Sequence, residues 1–160
     1  MPLEIERKFI VESEEWRKLS NSTKHLRQGY VCVATPPMEA EVRIRCTSDC
    51  GFITLKGAGD LTRSEFEYEI PLADAELMLA EFCSKKYLEK TRHIVKFANV
   101  VWEIDEYSGP HRGLVLAEVE LRETSEDIQL PPWLGKEVTD DPRFKNKYLA
   151  GNPHFWRNQA

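Results

Sequence analysis

EIERKFIV (residues 4–11) is the stretch on which the reading of this chain turns. Glu4, Glu6 and Lys8 fall at every second position, so an extended strand carries them on one face, with Ile5, Arg7 and Phe9 on the other. Two acids and a base in a row suit a solvated strand. They also suit a site where a metal and a phosphate meet. One strand leaves both readings open, so the deciding question is whether other strands repeat the pattern.

They do. Alternation of period two recurs in LRQGYVCVA (26–34), EVRIRCT (41–47), FITLKG (52–57), SEFEYEIP (64–71), LEKTRHIVKFA (88–98), VVWEIDEYSG (100–109) and LVLAEVELR (114–122), which predicts seven further strands. The prolines of TPPMEA (35–40) and the small polar residues of SDCG (48–51) predict turns. A short helix is expected over Glu14–Leu19, capped by Ser13, and a longer one over Asp74–Lys85 with Leu77, Met78 and Phe82 on or near one stripe. Residues 125–144 read as loop and short helix broken by prolines, 144–150 as a helical turn or two, and 151–160 as a loosely held tail. Eight strands with short connections and a few helices predict a mainly β, antiparallel barrel or sandwich with its helices outside.

The bulk properties fit one globular domain spanning 1–160. Apolar residues make up 41% and charged residues 31% of the 160 positions, enough for a core and without the bias of a disordered chain. A net charge of -5 argues against a nucleic-acid-binding surface. No apolar run approaches a membrane span, and the N-terminal residues lack the apolar core of a signal peptide. Cys32, Cys46, Cys50 and Cys83 match no zinc or redox spacing, so free thiols in a reducing cytoplasm are expected.

Collected strand by strand, one face carries Glu4, Glu6, Lys8; Gln28, Tyr30; Arg43, Arg45; Thr54, Lys56; Glu65, Glu67, Glu69; Lys90, Arg92; Glu103, Asp105, Tyr107; and Glu118, Glu120, Arg122. The other face is mostly apolar. An amphipathic sheet with its charged face in water would account for each strand singly. The set as a whole departs from that, because like charges sit together: Arg43 with Arg45, Lys90 with Arg92, Glu118 with Glu120. Like charges on one strand face repel, and the arrangement makes sense where each cluster meets a ligand of opposite sign. Carboxylates bind hard divalent cations; guanidinium and ammonium groups bind phosphate oxygens. If the sheet closes, the charged face is inside and the apolar face lies outward under the helices, the reverse of the usual small barrel.

With these residues on the page, EIERK resembles the ExExK signature of the CYTH superfamily, the triphosphate tunnel metalloenzymes. The later elements follow in order: VRIR, ITLK, EFEYEIP before a helix, EKTR, WEIDEY and AEVEL, with LPPWLGKEVTDDPRFKNKYLA (130–150) similar to the C-terminal part of the bacterial branch. The resemblance implies a closed eight-stranded antiparallel β-barrel tunnel that takes a small-molecule triphosphate with Mg²⁺ or Mn²⁺. It implies Glu4, Glu6, Glu118 and Glu120 as metal ligands, and Lys8, Arg43, Arg45, Lys56, Lys90 and Arg92 along the phosphate path. It gives Asp105 a share in holding a second metal or the water, and makes Tyr30 and Lys56 similar to a pair near the scissile bond.

The expected activity is metal-dependent hydrolysis of inorganic triphosphate. A nucleoside or thiamine triphosphate, or cyclisation of ATP as in family members labelled adenylate cyclases, is the alternative within the fold; a non-catalytic polyphosphate- or nucleotide-binding module is the alternative outside catalysis. Glu65, Glu67 and Glu69 exceed what two metals need, so at least one is expected in solvent or paired with a base. Trp16, Trp102, Trp133 and Trp156 read as packing residues, and His25, His93, His111 and His154 show no ligand spacing. An exposed apolar outer face would point to a homodimer.

Overall fold

A computed structural model describes residues 5–31, 40–57, 64–83, 86–123 and 125–159. Nine strands form one sheet: β1 (Ile5–Val11), β2 (Ser20–Tyr30), β3 (Glu41–Cys46), β4 (Gly51–Lys56), β5 (Glu65–Ile70), β6 (Tyr87–Phe97), β7 (Val100–Tyr107), β8 (Val115–Leu121) and β9 (Leu134–Glu137). The described residues also include two α-helices, α1 (Leu72–Phe82) and α2 (Asn146–Gly151), with 3-10 turns at Glu15–Leu19, Gly109–His111, Pro142–Phe144 and Trp156–Gln159.

The strand order is β5-β4-β3-β2-β6-β7-β8-β1-β9, and each strand pair is antiparallel. The eight strands read from the alternation are all there. The sheet is strongly curled, but no hydrogen-bonded ladder joins its two edges, β5 and β9, among the described residues. The curl is consistent with the expected antiparallel tunnel; the differences in detail are a ninth strand and a ladder that does not close among the described residues. β9 pairs with β1 through Phe9 and Val11, and Arg7 clasps Glu137 with Nε at 2.9 Å and Nη2 at 2.7 Å.

Local chemistry sets the turns. Ala98 and Asn99, with φ of 47° and 64°, form the two-residue link between β6 and β7, the left-handed geometry that matches strand twist. Gly29 in β2 lies against the C-terminal end of α1: a Cβ there would stand 2.9 Å from the Lys86 carbonyl and collide with Cys83. The 3-10 turn after β1 has Glu14 rather than Ser13 at its N-cap, without a side-chain cap bond.

Two clusters cover the outer, apolar face. Phe9, Trp16, Val95, Trp102, Ile104, Ala117, Val119, Leu121 and Trp133 bury the back of β1, β6, β7 and β8. Ile44, Cys46, Ala75, Leu79 and Cys83 join α1 to the back of β3 and its neighbours. The helix α1 and the 3-10 turn at Glu15–Leu19 are therefore outside and the charged rows inside, whereas α2 packs on the inner side.

A third cluster lies on the inner face. Tyr30, Leu88, Tyr107 and Leu116 each sit two positions along a strand from a charged or polar inner residue (Gln28, Lys90, Asp105, Glu118), so they share its side of the sheet. They pack with Val138, Phe144, Leu149, Ala150 and Phe155 of the C-terminal segment. That segment forms an apolar floor at one end of the concave face. Residues 151–159 are correspondingly not a loose tail throughout: Phe155 is buried and Trp156 packs against the same cluster, because the floor needs their apolar area.

Candidate active site

The ladders put the inner residues in register. Glu6 faces Glu120 and Lys8 faces Glu118 across β1–β8; Glu103 faces Glu118 across β7–β8; Arg92 faces Asp105 and Lys90 faces Tyr107 across β6–β7. On the other side, Gln28 faces Arg45, Tyr30 faces Arg43, Arg43 faces Thr54, and Lys56 faces both Glu41 and Glu65. Glu4 lies outside the described residues. The other predicted site residues line this single curved face.

Its deepest part is an ion-pair network. Lys90 Nζ donates to Asp105 Oδ2 at 2.5 Å, and both side chains are 0% exposed. Arg92 donates through Nε to Asp105 Oδ1 and through Nη2 to Asp105 Oδ2, each at 2.7 Å, pairs with Glu103, and stands 3.6 Å from Glu118 Oε2. Lys8 Nζ is 2.8 Å from Glu118 Oε1 and 3.9 Å from Glu6 Oε1. Burial works against the Asp105 carboxylate, but the charges of Lys90 and Arg92 outweigh it and hold its pKa well below the usual range. Burial, then Arg92 and Arg45, lowers Lys90 to about 8. Burial also opposes the Lys8 ammonium, yet Glu118 and Glu6 raise its pKa overall.

Both Asp105 oxygens are thus committed to Lys90 and Arg92. These are the contacts of a buried counter-ion that fixes two cations. Tyr30 and Lys56 stand on β2 and β4, two strands apart, each facing different partners in the ladders. The Tyr30 hydroxyl accepts from Gln28 Nε2 at 3.1 Å, and burial raises the phenol's pKa, so it is a neutral O–H group.

The remaining cations differ in how well they are matched. Arg43 Nη2 donates to Thr54 Oγ1 at 3.1 Å and Glu67 Oε2 at 3.2 Å; Lys56 Nζ is 2.9 Å from Glu65 Oε2. Arg45 Nε donates to Gln28 Oε1 at 3.3 Å and has no carboxylate within ion-pair distance among the described residues. Burial, then the like charges of Arg43 and Arg92, pulls the Arg45 pKa down to about 10. A guanidinium held among other cations is a place for an anion.

Carboxylates for a cation are also present. Glu118 Oε1 is buried and lies 2.8 Å from Lys8 Nζ. Glu6 and Glu120 face one another on the neighbouring rung and are exposed. Among the described residues no set of three His, Cys, Asp or Glu side chains is gathered tightly enough to hold a metal ion. Donor chemistry of oxygen alone matches a hard divalent cation.

Of the three acids on β5, at least one of which was expected in solvent or paired with a base, Glu65 pairs with Lys56 and Glu67 with Arg43. Sequence reasoning missed Asn146 and the Phe144 carbonyl, which reach Lys90 and Lys8 from the C-terminal segment. Alternation flags strand residues only, so no local signal could have found these two.

The family model described as the CYTH domain matches residues 2–145. The chain belongs to the CYTH domain family. Two relatives are named inorganic triphosphatase. That of Acetivibrio thermocellus is 39% identical over 155 residues, covering 96% of this chain and 97% of the relative. That of Nitrosomonas europaea is 39% identical over 150 residues, covering 92% and 96%. A crystal structure described as an inorganic triphosphatase superposes with a TM-score of 0.72 at 33% identity, covering 94% of this CYTH chain and 96% of that one. A structure from Hippeastrum, described as a putative adenylyl cyclase with dominant triphosphatase activity, superposes at 0.60 with 15% identity, and shares the fold. No helix among the described residues is long and apolar enough to cross a membrane.

Proposed function

We propose that this CYTH protein hydrolyses inorganic triphosphate, releasing the terminal phosphate, with the concave face as the active site. The observation that carries the reading is Arg45: a guanidinium with no carboxylate partner among the described residues, in a row with Arg43 and Arg92, beside the ordered Lys8 and Lys90. The two inorganic triphosphatase relatives, matched over nearly their whole length, support the substrate class.

The side chains divide the work as follows. Arg43, Arg45 and Arg92 bind phosphate oxygens through planar N–H forks, and Lys8, Lys56 and Lys90 add point charges. Their partners fix them before substrate arrives, so little reorganisation is needed as charge shifts toward the leaving pyrophosphate. Asp105 positions Lys90 and Arg92. Tyr30, a neutral phenol beside Arg43, can donate a hydrogen bond to a phosphate oxygen and is unsuited to accept a proton.

Glu4, Glu6, Glu118 and Glu120 would hold Mg²⁺ or Mn²⁺; Glu6 and the facing Glu120, with Glu118 on the next rung, offer the carboxylate oxygens that fit that role. When bound, such an ion supplies charge neutralisation on phosphate oxygens and a more acidic water.

The test is a substrate panel. Tripolyphosphate, ATP and thiamine triphosphate are each supplied with Mg²⁺ or Mn²⁺, and both phosphate and cyclic AMP are assayed. The expected result is fastest phosphate release from tripolyphosphate. Cyclic AMP from ATP as the dominant product would replace the reading with a cyclase, and tight binding without turnover under either metal would replace it with a binding module.

A further inference from the structure

The two innermost ammonium groups are both touched from the floor. Lys8 Nζ donates to the Phe144 carbonyl at 3.4 Å, and Lys90 Nζ donates to Asn146 Oδ1, also at 3.4 Å. The same Asn146 oxygen accepts from the Tyr107 hydroxyl at 2.6 Å. Asn146 opens α2, which is anchored by Leu149 and Ala150 in the inner apolar cluster and by Lys147, 3.6 Å from Glu41 of β3. One amide oxygen therefore ties the floor to β6 and β7 at the point where the cation network is deepest.

We infer that Asn146 is a positioning residue for substrate binding: its amide oxygen, fixed by Tyr107, orients the Lys90 ammonium toward the phosphate. This rests on the reading of the concave face as a triphosphate site. An ammonium group has three donors and no acceptor. Asp105 Oδ2 takes one and Asn146 Oδ1 takes another, and among the described residues nothing takes the third. Without the second acceptor, the flexible lysine stem is held by Asp105 alone and the free hydrogen loses its direction. Tyr107, itself buried, would also lose the acceptor of its hydroxyl.

The neutrality of the amide matters as much as its geometry. A carboxylate at 146 would accept the same two hydrogen bonds, but would place a negative charge beside a polyanion. Asparagine anchors the lysine without repelling the substrate. Asn146→Ala and Asn146→Asp are therefore expected to fail differently.

The experiment measures tripolyphosphate hydrolysis and thermal midpoints for wild type, Asn146→Ala, Asn146→Asp, Lys90→Ala and the Asn146→Ala/Lys90→Ala pair. Asn146→Ala should raise KM about tenfold with kcat nearly unchanged, the signature of lost uniform binding. Asn146→Asp should recover the thermal midpoint but keep a raised KM that falls toward wild type as salt is added. In the Lys90→Ala background, Asn146→Ala should raise KM no further, because it acts through that lysine. A full tenfold effect persisting without Lys90, or a KM for Asn146→Ala within about twofold of wild type, would overturn the inference. Wild-type protein that neither binds nor cleaves tripolyphosphate would instead overturn the reading of the site itself.

Discussion

Lys90 and Asp105 meet at 2.5 Å with neither side chain exposed to solvent, and Arg92, directly opposite Asp105 in the ladder, closes on the same carboxylate. A buried carboxylate shared by two cations makes its removal costly, because both cations stay behind in low dielectric. Asp105→Ala should lower stability by about 3–5 kcal/mol, read by chemical denaturation. A loss below about 1 kcal/mol, typical of exposed pairs, would show that the network is not desolvated.

The same carboxylate sets a pH dependence. Its pKa in the folded protein lies below the unfolded value of 3.8, so its stabilising contribution is complete above that pH and is lost as pH falls through the folded value. Between about pH 5 and pH 2 the thermal midpoint of wild type should fall more steeply than that of Asp105→Asn. Parallel curves would contradict the assignment.

Arg45 offers the opposite behaviour. Burial and the like charges of Arg43 and Arg92 outweigh the pull of Asp105 on it, so Arg45→Gln should leave the thermal midpoint of the free protein unchanged or higher. Its KM for tripolyphosphate should rise by about 10- to 100-fold, the value of one hydrogen bond to a charged group. A destabilised variant with unchanged KM would remove Arg45 from the phosphate path.

Metal removal should separate activity from folding. Lys8, Lys56 and Lys90 are balanced by Glu118, Glu65 and Asp105 of the chain itself. A chelator should abolish phosphate release while the far-ultraviolet spectrum stays unchanged, and Mg²⁺ or Mn²⁺ should restore turnover. Turnover that survives the chelator would exclude the proposed role of Glu6, Glu118 and Glu120.

Eight strands and their faces were legible because alternation of period two is local, and the charged and apolar rows sort themselves once it is seen. β9 was not: LPPWLGKE has prolines and no alternation, and the strand exists through pairing with β1 and the Arg7–Glu137 clasp. β2 begins at Ser20, earlier than expected, because Ser20–His25 is polar and exposed and is held as a strand by its ladder to β6. The site's cations and acids were legible as rows; which acid serves which cation was not. Asp105 and Glu67 look alike in sequence, yet one is sealed between Lys90 and Arg92 and the other is exposed beside Arg43. Asn146 was hidden for the same reason, since its partner Lys90 is 56 positions away.

The most direct measurement compares two neighbouring cations on one strand. Lys8 faces Glu118 within the concave face, while Arg7 points outward and clasps Glu137. Tripolyphosphate turnover is measured for Lys8→Ala and Arg7→Ala under the same metal and salt. If the concave face is the active site, Arg7→Ala stays within about twofold of wild type and Lys8→Ala loses about 100-fold or more. Equal losses in the two variants, or a larger loss in Arg7→Ala, would contradict it.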